Sequence, residues 1–283
     1  MYKKEIIDFK SDLYDKHATL YADFKTPTKA CVLYLHGGGI LFGHREDLPE
    51  AHLRSFTEAG YPVLALDYPL APAAKLPEVF SDIESSVNEF IERRTELFGS
   101  EIPYVLWGRS SGAYLSLLVG SKGKFNQTPA AILSYYGYGF LCEGWFMEGS
   151  KYYNSLPIKA SYDPSRETGE IHADGGLDTH YMTYVYARQT GEWKNMIYEG
   201  RDKFFYRDYT LRLVDQMPCP LFAAHSTGDT DVPYREFLAL CEKYPAKRFV
   251  ATCDTHDFDR EETSFFTTQL LEGTIQFLDD RLK

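Results

Sequence analysis

Tyr104-Val105-Leu106-Trp107-Gly108-Arg109-Ser110-Ser111-Gly112 is an apolar run that ends in Gly-x-Ser-x-Gly and passes directly into Ala113-Tyr114-Leu115-Ser116-Leu117-Leu118, which reads as a helix. A strand that turns this sharply into a helix strains the backbone of the turn residue. Only glycines two positions before and after it accommodate that turn without a steric clash. The geometry projects the Ser110 hydroxyl into a cleft and makes it a candidate nucleophile. Taken alone, the pentapeptide is as compatible with a tight turn carrying a solvated serine, so the reading depends on what else the chain supplies.

A serine hydroxyl is a weak nucleophile at neutral pH. A base must take its proton, and a third group must hold that base. Downstream, the apolar run Pro220 to His225 empties into Ser226-Thr227-Gly228-Asp229-Thr230-Asp231-Val232-Pro233, which places Asp229 just past a strand end. A helical stretch around Glu236 to Tyr244 follows, then the strand Arg248 to Cys253, then the loop Asp254-Thr255-His256-Asp257-Phe258. Ser110, Asp229 and His256, in that order and each after a strand, suit one parallel sheet that presents all three at its carboxyl edge. Asp231, on the same loop, is the alternative acid.

Upstream, the strand Ala30 to Leu35 leads into His36-Gly37-Gly38-Gly39-Ile40-Leu41-Phe42-Gly43. Consecutive glycines let backbone amides turn inward, where they can hold the negative oxygen of a tetrahedral intermediate, each such donor being worth about 2.7–4 kcal/mol. The amides of Gly38, Gly39 and Ser111 are the candidates for this oxyanion hole, with Gly37 able to replace one of the glycines. A phosphate-binding loop is the competing reading. It lacks both the Lys-Ser/Thr that would follow and the Gly-x-Gly-x-x-Gly spacing.

With these residues in hand, the chain resembles the carboxylesterases of the α/β-hydrolase fold, in particular their hormone-sensitive-lipase-like branch. His36-Gly37-Gly38-Gly39 is similar to the oxyanion motif of that branch. Leu66-Asp67-Tyr68-Pro69-Leu70-Ala71-Pro72 is similar to its Asp-Tyr-Arg-Leu-Ala-Pro segment. The likeness spans about residues 30–137 and 210–283. Arg109 and Ser111-Gly112-Ala113 stand where the branch carries an acidic residue and Ala-Gly-Gly, and Asp229 to Pro233 is closer to the acid loop of broader esterase and acyl-peptidase relatives.

The rest of the chain fits this expectation. Residues 5–24 read as an antiparallel hairpin. Pro62 to Asp67 and Ala130 to Tyr136 read as further strands, and Val79, Ile83, Val87, Phe90 and Ile91 repeat at helical spacing up to Gly99. A last helix carries Phe265, Phe266, Leu270, Leu271, Ile275 and Leu278. Alternating β and α segments predict an α/β architecture, a mostly parallel sheet with helices on both faces. Residues 1–137 and 210–283 form the expected core, and residues 138–209 break the alternation as an inserted cap. Of these 72 residues 16 are aromatic, or 22% against 16% for the whole chain, which suits either a lid walling an apolar pocket or a small aromatic subcore.

The 283 residues, 44% apolar and 25% charged, support one sizeable core and not two full domains. Met1 to Asp8 lacks the apolar stretch of a secretory signal and no window approaches 18 apolar residues, so a cytoplasmic protein is expected. Five cysteines with no Cys-x-x-Cys pair argue against a disulfide framework. A net charge of −11 without a basic block disfavours nucleic acid and anionic membrane as partners. A homodimer is compatible with the sequence.

Of the remaining polar residues near these motifs, His36 is expected to brace the glycine loop and His225 to be a core histidine. Arg109 is read as a salt bridge beneath the turn in preference to an anion-binding group. His172 to His180 has no metal-ligand spacing, and no metal or cofactor is expected. The reaction anticipated is hydrolysis of a small-molecule carboxylic ester with a small or medium acyl group. Amide, peptide or formamide hydrolysis by the same triad is the alternative, and an inactive ligand-binding protein is the alternative from another class.

Overall fold

The structure, a computed structural model, describes residues 1–157 and 169–282. Its sheet is built from strands whose residues are apolar on both faces. In β3 (Cys31–Leu35), Cys31, Leu33 and Leu35 enter one apolar cluster while Val32 and Tyr34 enter another. In β5 (Tyr104–Arg109), Tyr104 and Leu106 divide from Val105 and Trp107 in the same way. Successive side chains of a strand point to opposite faces, so such unbroken apolar runs demand cover on both sides. Burying each large apolar side chain contributes roughly 1.5–3 kcal/mol.

Among the described residues eight strands form one sheet. The others are β1 (Lys3–Phe9), β2 (Lys16–Ala22), β4 (Val63–Leu66), β6 (Ala131–Tyr135), β7 (Leu221–Ser226) and β8 (Ala246–Ala251). Their order is β1-β2-β4-β3-β5-β6-β7-β8. The pairs β1/β2 and β2/β4 are antiparallel, and every pair from β4 to β8 is parallel. The register pairs Leu35 with Gly108 and Arg109 with Tyr135, so the carboxyl ends of the central strands emerge side by side.

Two helices flank the sheet on one side, α1 (Glu50–Glu58) and α8 (Phe265–Arg281), through Leu53, Phe56, Leu270, Leu271, Phe277 and Leu278. The opposite side holds α2 (Leu76–Phe98), α3 (Ser111–Lys122) and α7 (Tyr234–Lys243), with Val79, Ile83, Leu115, Leu118 and Leu240 in the other cluster. Gly99 ends α2 in the left-handed conformation at φ 73°, as a glycine after the last helical turn does readily. The fold class read from the sequence is the observed one, a mostly parallel sheet between helical layers.

Two details differ from the sequence reading. Helix α1 was not anticipated. It is nine residues long and buries only His52, Leu53, Phe56 and Thr57, a stripe too short and too mixed in polarity to register as periodicity. Strand β8 begins and ends two residues earlier than the apolar pattern indicates, and Thr252 and Cys253 already belong to the loop that carries His256.

Between β6 and β7 the chain forms α4 (Tyr181–Thr190), α5 (Trp193–Ile197) and α6 (Asp202–Asp208). Residues 158–168 of the predicted cap lie outside the described residues. Tyr138, Phe146, Tyr184, Trp193, Ile197 and Phe205 join the apolar cluster that α2 and α3 cover. The insertion thus shares the main core.

Candidate active site

At the end of β5 the backbone of Ser110 adopts φ 54° and ψ −120°, a sparsely populated conformation that costs on the order of 1–3 kcal/mol. The flanking glycines make it possible. A Cβ on Gly108 would lie 2.1 Å from the backbone of Gly112, and one on Gly112 would lie 2.0 Å from the carbonyl oxygen of Leu35. The turn is pinned by the Ser110 amide, which donates to the carbonyl of Tyr135 at 2.9 Å.

His256 Nε2 lies 2.9 Å from Ser110 Oγ, and its Nδ1 lies 2.7 Å from Asp229 Oδ2. The sheet therefore brings Ser110, His256 and Asp229 into one hydrogen-bonded line. Asp229 is itself fixed, since its Oδ1 accepts the amides of Asp231 and Val232 at 2.8 and 2.9 Å. His225 Nε2 lies 3.2 Å from Asp229 Oδ2, so this histidine is buried as expected but also braces the acid. Asp231 occupies a different place from the orienting one. Its Oδ2 stands 3.9 Å from Nε2, on the Ser110 side of the ring.

Burial of the His256 imidazole works against its charge, but the charge and hydrogen bond of Asp229, with Asp231 and Asp257 beyond it, prevail and push its pKa up to about 9. For Asp229, burial works the other way from its partners. The charge of His256 and the hydrogen bonds of His225 and His256 win, holding the carboxyl well below the usual carboxylate range.

The glycine loop lies across the cleft. Gly38 has φ 101° and Gly39 φ 63°, and a Cβ on Gly38 would meet the Phe42 carbonyl oxygen at 1.9 Å. His36 stacks on Tyr68 with ring centres 4.2 Å apart, and Tyr68 Oη donates to the His36 carbonyl at 2.9 Å. The Ile40 amide donates to Ser111 Oγ at 3.2 Å and its carbonyl accepts from Ala71. These bonds occupy Ile40. The amides of Gly38, Gly39 and Ser111 donate to no acceptor among the described residues. Ser111 opens the 12-residue helix α3, whose first amides have no partner within the helix.

Under the turn, Arg109 Nη2 lies 3.0 Å from Asp259 Oδ1, and its Nε donates to Tyr136 Oη. Tyr136 Oη donates to Asp259 at 2.8 Å, and His52 Nε2 lies 2.8 Å from the other oxygen of that carboxylate. Arg109 is thus a buried ion-pair partner. Asp259 and Tyr136 were missed from the sequence, although Tyr136 sets its ring edge against His256 at 4.9 Å. A buried Arg next to a strained serine requires a buried acid, and Asp259 lies only three residues past His256. That was the available signal.

The inserted segment closes the site. Trp193 Nε1 donates to the Gly39 carbonyl at 2.8 Å, and the Tyr184 ring packs where a Cβ on Gly39 would sit, 2.2 Å away. Gly43 and Gly175 exchange two backbone hydrogen bonds at 2.6 and 3.0 Å, and the Leu70 amide donates to the His172 carbonyl. His172 and His180 face one another with Nε2 atoms 2.6 Å apart, and no group of three or more metal-type side chains gathers among the described residues. A cavity of about 770 Å³ opens over Ser110 and His256, walled by Phe42, Tyr152, Tyr153 and Tyr181.

The family BD-FAE matches residues 19–141. An α/β-hydrolase superfamily protein from Enterococcus faecalis is 26% identical with a TM-score of 0.83, covering 99% of this chain and 100% of that one. EstE1, a thermophilic carboxylesterase cloned from a metagenomic library, is 16% identical with a TM-score of 0.69 over 99% of this chain and 90% of its own. Lipase 2 of Moraxella sp. (strain TA144) is 28% identical over 123 residues, a match that spans 40% of this chain and 28% of that lipase. The chain is an α/β hydrolase in fold, similar to the esterases and lipases built on it. No helix among the described residues is long and apolar enough to cross a membrane.

Proposed function

We propose that the protein is a serine hydrolase that cleaves carboxylic esters through an acyl-enzyme. One observation carries this reading: His256 bridges Ser110 Oγ at 2.9 Å and Asp229 Oδ2 at 2.7 Å, at the floor of a cavity large enough for a small-molecule ester. Nε2 accepts the Ser110 proton as Oγ bonds to the ester carbonyl carbon. The carbonyl electrons move onto oxygen, where the amides of Gly38, Gly39 and Ser111 are placed to receive them. Collapse expels the alcohol, which takes the proton from Nε2. Water then repeats the sequence on the acyl-enzyme, returning Ser110 and releasing the acid. Asp229 holds the imidazole with Nδ1 protonated throughout.

The aromatic walls of the cavity favour a small or medium acyl group, and the products are one alcohol and one carboxylic acid, with water as the co-substrate. The test is mass spectrometry of the intact protein after a fluorophosphonate probe, with peptide mapping, alongside hydrolysis of p-nitrophenyl esters of increasing chain length. One adduct on Ser110 with ester turnover is the expected result. A folded protein that neither labels nor turns over any ester is a binding protein on a hydrolase scaffold.

A further inference from the structure

Asp231, the alternative acid on the sequence, has a different set of partners in the structure. Its carboxylate is buried. Tyr184 Oη donates to both oxygens, at 2.9 Å to Oδ1 and 2.8 Å to Oδ2. Arg188 Nε donates to Oδ1 at 3.1 Å while Nη2 reaches the Asp231 carbonyl at 3.0 Å, and Tyr153 Oη donates to Oδ2 at 3.1 Å. All three side chains belong to the inserted segment, whereas Asp231 sits on the loop after β7 that also carries Asp229. Arg188 is in turn sandwiched by aromatic rings, 4.6 Å from the centre of Trp145 and 5.7 Å from that of Tyr153. The oxygen that Tyr153 and Tyr184 hold in place is the one that stands 3.9 Å from His256 Nε2.

We infer that Asp231 is a positioning residue for the reaction, a second carboxylate that stabilises protonated His256 from the Nε2 side, with Tyr153, Tyr184 and Arg188 of the inserted segment setting how strongly it does so. The role rests on the reading of His256 as the base. Asp229 acts on Nδ1 through a hydrogen bond. Asp231 lies beyond hydrogen-bond reach of the ring, and its oxygens already accept from three side chains of the insertion, so it acts through its charge. The other groups around the imidazole are the Ser110 hydroxyl and the Tyr136 ring edge, with the charge of Asp257 acting from the next residue. Those near Asp231 are the phenols of Tyr138 and Tyr181. Arg188 is the cation bonded to Asp231 and opposes the effect, while Arg260 pairs with Asp257 and Arg109 with Tyr136. A displacement of α4 would thus change the basicity of His256 without touching Ser110 or Asp229.

The experiment compares wild type, Asp231→Asn and Arg188→Met by NMR titration of the His256 imidazole and by the pH dependence of kcat/KM on a p-nitrophenyl ester. Asn keeps an acceptor for Arg188 Nε and Tyr184 Oη and turns an amide donor toward Tyr153 Oη, whose oxygen can accept it. Asp231→Asn is expected to lower the His256 titration midpoint by about 1 unit, the lower end of the range for an opposite charge within 4–6 Å, and to move the rising limb of kcat/KM by the same amount. Arg188→Met is expected to move both the other way. A purely structural role would lower the rate and leave the midpoint in place. A midpoint unchanged in folded Asp231→Asn, with wild type active, overturns the inference. Wild type that fails to react with a fluorophosphonate overturns the hydrolase reading instead, whatever the titration shows.

Discussion

Trp193 Nε1 donates its hydrogen to the carbonyl oxygen of Gly39 at 2.8 Å, from a cap helix onto the loop that faces Ser110. A peptide plane has two ends. Fixing this carbonyl fixes the Ile40 amide, which is held to Ser111 Oγ, and so the path of the whole loop from Gly38 to Ile40. Trp193→Phe keeps the ring and removes the donor, leaving a buried carbonyl unpaired at a cost of about 1–3 kcal/mol. The expected result is a fall of roughly tenfold or more in kcat with a lesser change in KM. Steady-state kinetics on p-nitrophenyl acetate checks this, and an unchanged kcat would remove the link between insertion and loop.

Ser110 sits at φ 54°, which glycine adopts without penalty and alanine does not. Both Ser110→Ala and Ser110→Gly should abolish ester turnover. Ser110→Ala should melt within a few degrees of wild type, and Ser110→Gly should be the more stable of the two variants by about 1 kcal/mol, the strain released less the extra chain entropy of glycine. Urea unfolding of the two proteins side by side measures the difference. Equal stability would mean that the turn carries no strain.

His256 with a pKa near 9 is mostly protonated at pH 7, and a protonated imidazole cannot accept the Ser110 proton. The sign follows directly. For the free enzyme kcat/KM should rise as pH increases and level off only above about 9, rather than peak near neutrality. A pH-rate profile from 6 to 10, corrected for spontaneous hydrolysis, provides the test. A plateau already reached at pH 7 would show that burial outweighs the carboxylates around His256.

Arg109 and Asp259 are buried together, so removing one strands the other. Arg109→Met should destabilise the fold by about 3–5 kcal/mol, and Asp259→Leu by a comparable amount. The double variant should lose much less than the sum of the two, because no unpaired charge remains. Thermal unfolding of all four proteins resolves the coupling. Additive losses would show that the pair contributes through its separate contacts.

The sheet, the helices α2, α3, α7 and α8 and the line of Ser110, Asp229 and His256 were legible because each rests on local chemistry: apolar runs, glycines around a forced turn, polar residues just past strand ends. What escaped notice depends on distance in the chain. Asp259 meets Arg109 across 150 residues, and Tyr184 meets Asp231 across 47, so no window of sequence contains either pair. His225 read as a core residue because a histidine inside an apolar strand has no local feature that distinguishes filling space from holding an acid. Helix α1 was missed for a simpler reason, since nine residues give its pattern too few repeats.

The paired hydrogen bonds between Gly43 and Gly175 join main chain to main chain. Such a seam uses no side chain, though it requires glycine at both ends, since a Cβ on Gly43 would lie 2.6 Å from His36 Nδ1 and one on Gly175 2.8 Å from the His180 ring. Selection can therefore exchange Leu177, Tyr181 or Tyr152 on the cavity wall for residues of other size and polarity while the anchor between the glycine loop and the insertion persists. Substrate preference in descendants of this chain can drift along one surface, with the donors that serve the reaction left where they are.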